Sequence, residues 1–250
     1  MKRNQTVKGK DYPLSVNSKL ASLDFTRATT WASQIYTPLK LHEKRLVGRP
    51  LFQELSQLLV KVYNSDQIHG LGTKKLFAGD VAMLTKWHLS IYSKWHLRLG
   101  VNPNLTITPH TGKAKITIAK FNLSAAHFID RARQMAMRFY VYLLDEDKEL
   151  IQVEITDDLL VDFDVAHNEI EAHFDFSPIT NGVLLLVGIA QLHLAATDHQ
   201  HVFASYDRRY YQASLIQAQA VKDGQLFQYN KQITEPEQRI NITKVAWQPK

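Results

Sequence analysis

The chain has no cysteine among its 250 residues, and that absence removes disulfide frameworks, thiolate zinc sites, iron–sulfur clusters and cysteine nucleophiles together. Packing must hold it, and a chain of this length buries roughly three quarters of its extended surface, enough to fold without a staple. Long apolar runs are missing as well. The longest, Val183 to Ala196, is 14 residues and contains Gln191 and His193. It is too short and too polar to span a bilayer, so it reads as a buried strand and no membrane span is expected. The opening MKRNQTVKGKDYPLSV is charged with no apolar stretch behind it, which predicts a cytoplasmic protein without a secretory signal. Catalytic signatures are scarce too: there is no G-x-S-x-G elbow, no H-E-x-x-H helix and no calcium-loop spacing. No cofactor is expected, and the expectation leans away from an enzyme.

What is present is an ordinary globular composition, 45% hydrophobic and 22% charged, which argues against a disordered tail. The net charge of +6 is unevenly spread: residues 1 to 85 carry 13 Lys+Arg against 6 Asp+Glu, while the rest carries 17 against 18. Asp145 to Asp175 holds twelve acidic side chains and one base, Lys148. Such regional asymmetry steers a partner or closes one part of a molecule on another.

Residues 1 to about 20 show no periodicity and read as a basic arm. From Asp24, read as an N-cap, Phe25, Ala28, Trp31, Ala32 and Ile35 recur at helical spacing until Pro38. A second helix starts with Pro50 in its first turn and carries Leu51, Phe52, Leu55, Leu58, Leu59 and Val62 as one stripe. A third short helix is expected over Lys74 to Leu84, weakened by Gly79. At Trp87 the period changes to two. Trp87, Leu89, Ile91, Ser93, Trp95, Leu97 and Leu99 alternate with His88, Ser90, Tyr92, Lys94, His96 and Arg98, which predicts a strand with both tryptophans on one face. Further strand-like runs follow at Leu105–Thr108, Lys115–Phe121, Arg133–Leu144, Leu150–Ile155, Leu160–Val165, Ile170–Phe176, Val183–Ala196, Arg209–Val221 and Lys244–Trp247. Turn signals separate most of them. The expected fold is α+β: a basic arm over 1–20, a helical segment over 21–85, and an antiparallel β-sandwich region over 86–250, as one sandwich or two small immunoglobulin-like ones.

Several constellations carry chemistry on paper. Gly70-Leu71-Gly72-Thr73-Lys74-Lys75 has the glycines and lysines of a phosphate loop, but it follows a helix rather than a strand and reads as a turn with solvated lysines. Among eleven histidines, His193, His199 and His201 are the closest set for a metal, with Asp198 and Asp207 near in sequence. The acids Asp145, Asp147, Asp157, Asp158, Asp162 and Asp164 suit either a hard cation or a solvated face, and the solvated face is preferred. Lys2, Arg3, Lys40, Lys44, Arg45 and Arg49 form the basic footprint that a nucleic-acid binder needs. Trp87, Trp95, Met135, Met137 and Phe139 read as core rather than as a ligand box.

The order Ser22-Leu23-Asp24-Phe25 with Ala32 and Ile35, Pro50-Leu51-Phe52-Gln53-Glu54-Leu55, Val60-Lys61-Val62-Tyr63, then Gly72 and Leu76-Phe77-Ala78-Gly79 before Leu84, resembles an uncharacterised family of similar-length bacterial proteins. The resemblance covers about the first 100 residues, and Thr85-Lys86-Trp87-His88 departs from it. It implies a helical segment before a strand-rich body and no activity. The functional expectation is a non-enzymatic binding or structural module acting through protein–protein contacts, with a protein partner or as a homo-oligomer. The alternatives are a nucleic-acid binder using the basic front third and a hydrolase or metal-dependent enzyme.

Overall fold

A computed structural model describes residues 15–46, 48–90, 95, 99–124, 128–129, 131–196 and 201–230, with the side chains of Lys44, Arg49 and Arg208 outside that description. The chain is α+β, a helical N-terminal part followed by a strand-rich body of antiparallel sheets. Helix α1 runs Val16–His42 and α2 runs Arg49–Ser65. The strands are β1 Asn104–Thr108, β2 Lys113–Ile118, β3 Phe121–Asn122, β4 Ala132–Asp145, β5 Leu150–Ile155 and β6 Leu159–Asp162. They continue as β7 Ala166–His167, β8 Ile170–Asp175, β9 Gly182–Ala195, β10 Val202–Ala204, β11 Tyr211–Lys222 and β12 Gln225–Phe227. Among the described residues no helix is long and apolar enough to cross a membrane.

The large sheet has the order β12-β11-β9-β4-β5, with β10 alongside β9 and β6 alongside β4 at its far end. Its central strands β4 and β9 are buried on both faces, which is why their sequences read as nearly unbroken apolar runs rather than alternating ones. On one face Tyr140, Tyr142, Val187, Ile189 and Ala213 share a core with Ala28, Trp31, Ile35 and Leu39 of α1 and Leu55, Leu59 and Val62 of α2. On the other, Met137, Phe139, Val141, Leu186 and Leu192 share a second core with Leu105, Ile107, Ile116 and Ile118 of the small β1-β2-β8 sheet.

Four sequence expectations need correction. Helix α1 begins well before Asp24: Ser15 is the cap, accepting the Ser18 amide at 3.1 Å. Asp24 is instead buried in mid-helix, where its carboxylate accepts the Gly72 amide at 2.7 Å. Pro38 does not end the helix, because the ring forfeits one hydrogen bond while Leu39 beyond it is fully buried and its carbonyl accepts the Glu43 amide at 2.8 Å. The expected helix over Lys74–Leu84 is a turn followed by a 3-10 helix, Val81–Lys86. Gly79 explains it, since a Cβ there would lie 2.2 Å from the Val62 carbonyl oxygen, so only glycine lets this segment lie against α2. The Trp87 run is not a strand where it is described. His88 makes a single bridge to Ser214, Trp95 is helical, and the Leu99 amide donates to the Trp95 carbonyl at 3.1 Å. The two tryptophans part company: Trp87 lies in the core under the helices and Trp95 in the core between the sheets. The expected strand at Lys244–Trp247 lies outside the described residues.

The 66–79 segment shows how a turn-rich sequence is fixed. Asp66, its side chain fully buried, accepts the amides of Ile68 at 2.8 Å, His69 at 3.2 Å and Lys75 at 2.8 Å, and pairs with the His69 ring at 2.8 Å. The Lys74 ammonium caps the end of α2 by donating to the Asp66 carbonyl at 2.9 Å, so it is tethered rather than simply solvated. Burial opposes ionisation of Asp66, but the three amides and His69 outweigh it and hold its carboxyl below the ordinary range. A depressed carboxylate contributes stability above its unfolded value of 3.8 and loses it as pH falls through the folded value. Asp66→Asn should therefore unfold at a lower urea concentration than wild type near neutrality, by about 2 kcal/mol. The gap should close as pH drops below 3.8; a gap that stays constant down to strong acid would contradict this account.

Candidate functional site

The strongest concentration of ionisable groups sits where α1 meets the large sheet. Glu43, the residue that closes α1, is buried. Tyr140 donates to its Oε1 at 2.8 Å, the Arg138 guanidinium to the same oxygen at 3.1 Å, and Tyr211 to Oε2 at 2.6 Å. Register explains the convergence: Tyr140 and Arg138 alternate on the helix-side face of β4, and Tyr211 starts β11 two strands away. Arg138 turns its other edge to Asp158, with Nε to Oδ1 at 2.9 Å and Nη2 to Oδ2 at 3.0 Å, the fork geometry that makes arginine pairs directional. Burial first, then the bond to Glu43 and its charge, pushes the Tyr140 and Tyr211 hydroxyls well above the ordinary tyrosine value. Burial works against the Arg138 charge, but the bond to Asp158 and that carboxylate's charge outweigh it, so the guanidinium stays firmly protonated. These groups hold protons rather than exchange them, and the node acts as a clamp.

Helix α1 reaches the sheet only as far as this clamp. Beyond it two cross-strand rows remain on the helix-side face: Tyr211–Gln191–Ala136–Leu160, and Ala204–His193–Gln134–Asp162. Gln191, His193 and Gln134 are half-buried, whereas Leu160 is 53% exposed and Val202, opposite Ala195, is 45% exposed. Tyr206, 81% exposed, lies 4.4 Å under the Arg45 guanidinium, a cation–π arrangement. Arg45 also donates to the Ser205 carbonyl at 2.9 Å, which Gln191 shares at 3.0 Å. His193 is kept neutral at neutral pH by burial, which lowers its affinity for a proton more than the nearby charge of Asp158 raises it.

The residues singled out from sequence are scattered by this geometry. His193 is on the sheet face, but His201 is exposed at the mouth of the β9–β10 hairpin, three rungs along the ladder and about 10 Å away; His199 lies outside the described residues. Among the described residues no three of His, Asp or Glu are grouped as metal ligands. Lys40 is exposed in the last turn of α1 and Arg45 is committed to Ser205 and Tyr206. Lys2 and Arg3 lie outside the described residues, as do the side chains of Lys44 and Arg49. The acidic stretch divides among separate tasks: Asp145, buried, accepts the amides of Asp147 and Lys148 in its own turn, Asp158 pairs with Arg138, and Asp162 accepts from Gln134 at 2.8 Å. Asp145 and Glu146 are therefore not on a solvated face. The Glu43 clamp escaped sequence reading because its partners are 95 or more residues away and nothing local marks them.

No model of a known protein family matches the chain, and no curated protein matches it. Among solved structures it is similar to two variants of a superoxide reductase (neelaredoxin) from Ignicoccus hospitalis. One is 7% identical over 51% of this chain and 82% of that chain, with a TM-score of 0.24. The other is 8% identical over 46% and 80%, with a TM-score of 0.21. Likenesses this slight carry no argument about fold or activity.

Proposed function

We propose that this protein is a non-enzymatic binding module that works through protein–protein contacts, and that a partner docks on the end of the helix-side sheet face that α1 leaves uncovered. The reading rests on one observation: Leu160 and Val202, on opposite sides of that face, stand exposed around the buried Ala136 and Ala195 and the half-buried, neutral Gln134 and Gln191. Elsewhere on the same face such positions lie under a helix. A surface of this kind, with Leu160 and Val202 at its margins, Asp162 beside Leu160 on the same strand and little charge at its centre, has the composition of an interface core within a polar rim. The scaffold is taken as a single β-sandwich, a reading supported by the core that β1, β2, β4 and β9 share.

The test is photo-crosslinking in the source cell, with a light-activated amino acid placed at 160, at 202 or at 106, where Thr106 is exposed on the small sheet. A discrete adduct from positions 160 and 202, and none from 106, is the expected outcome, and Leu160→Glu with Val202→Glu should abolish capture without lowering Tm. Equal adducts at all three positions, or none at any, would sink the proposal.

A further inference from the structure

A cavity of about 310 Å³ lies between α1, Tyr63 of α2, the turn after α2 and the β4–β5 turn, and it is built from both signs of charge. Arg27 enters it from α1 and Lys75 from the turn after α2, while Glu146 and Glu149 enter from the β4–β5 turn. Its wall is aromatic, Trp31 and Tyr63, both buried. The floor is fixed by Tyr63, whose hydroxyl donates to Glu146 Oε1 at 3.2 Å. Glu146 also accepts the Leu76 amide at 2.9 Å and the Phe77 amide at 3.0 Å. Its lone pairs are thus largely engaged, and burial outweighs these bonds and pushes its carboxyl above the ordinary range, so it serves as a fixed acceptor in the floor.

One further observation points to an occupant. Glu149 holds a left-handed backbone, φ +51°, at an exposed turn position where glycine or asparagine would be free of strain. A glutamate kept there against local preference, at the cavity, is the kind of conformational cost that marks functional positions.

From these charges, the aromatic wall and the size, we propose that this cavity binds a small zwitterion of the free α-amino-acid class. Arg27, through the donors left free by its Nη1 bond to the Gly72 carbonyl at 2.9 Å, and Lys75 receive the carboxylate, Glu149 receives the ammonium group, and the side chain lies against Trp31 and Tyr63. With Arg27 and Lys75 for a carboxylate and Glu149 for an ammonium group, the cavity offers a partner to each end of a zwitterion, whereas a simple anion or cation would leave one of them unmatched. The volume lies at the lower end of the range for ligand pockets, which suits a single amino acid better than a nucleotide. This inference is separate from the docking face, which lies beyond the C-terminal end of α1, whereas the cavity is flanked by the middle of that helix.

The test is thermal unfolding of the full chain with each free L-amino acid at millimolar concentration, and with its N-acetyl and carboxamide derivatives. At least one free amino acid should raise Tm while both of its blocked forms leave it unchanged. Lys75→Gln and Glu149→Gln should each weaken that binding about tenfold by calorimetry, the loss of one hydrogen bond between charged groups. Glu149→Gly separates strain from function: it should raise Tm without ligand, because glycine adopts the left-handed backbone freely, and still lose affinity. The inference fails if no free amino acid shifts Tm, if blocked and free forms shift it equally, or if both Glu149 variants bind as tightly as wild type.

Discussion

Replacing Glu43 by alanine is expected to lower the unfolding free energy by about 3–5 kcal/mol, because it strips one acceptor group from three buried or half-buried donors at once. Tyr140 and Tyr211 would each keep a hydroxyl facing protein with no acceptor, and Arg138 would retain only Asp158. The neighbourhood has little slack, since the Tyr142 hydroxyl, its ring stacked 6.4 Å from that of Tyr140, is already buried without a partner. At roughly 2–4 °C per kcal/mol for a chain of this size, Tm should fall by about 10 °C. Glu43→Gln, which keeps the volume and one carbonyl acceptor, should cost less than half as much. Urea unfolding of both variants decides the matter. If the two cost the same, the clamp holds by packing alone, and if Glu43→Ala costs under about 1 kcal/mol, the node contributes nothing beyond an ordinary surface contact.

Trp87→Ala should be comparably damaging, by about 3–5 kcal/mol. The indole is fully buried beneath both helices, and its Nε1 donates to the Leu51 carbonyl at 3.2 Å, tying the start of α2 to the segment that runs beside β11. Removing it opens a cavity in the helix-side core and leaves that carbonyl without its donor. Trp87→Phe should recover much of the packing and none of the hydrogen bond, so the two variants together separate a cavity cost from a polar cost. An alanine variant within about 1 kcal/mol of wild type would show that this core does not couple the helical part to the sheet.

Local chemistry alone made most elements legible. The Pro50 start and apolar stripe of α2 need nothing beyond residues 50–62, and α2 begins and ends within a few residues of that reading. The strands expected from Leu150, Ile170 and Val183 followed from composition and turn signals, because alternating or continuous apolar runs bounded by glycine and aspartate have few other uses. The docking face and the zwitterion cavity were not legible. Gln134, Leu160, His193 and Val202 become neighbours only through antiparallel register, and Arg27 meets Glu146 only because α1 lies beside the β4–β5 turn.

By itself the sequence determined that this protein has a helical front, a strand-rich body and no thiol chemistry, since propensity, periodicity and composition act over a few residues and need no fold to express themselves. Only the tertiary structure decided where α1 begins, that Pro38 sits inside it, that Trp87 and Trp95 enter different cores, and which acids are buried. Those outcomes turn on contacts between residues far apart in the chain. A buried amide seeking an acceptor, or an indole seeking a void, overrides the weaker preference of the segment that carries it.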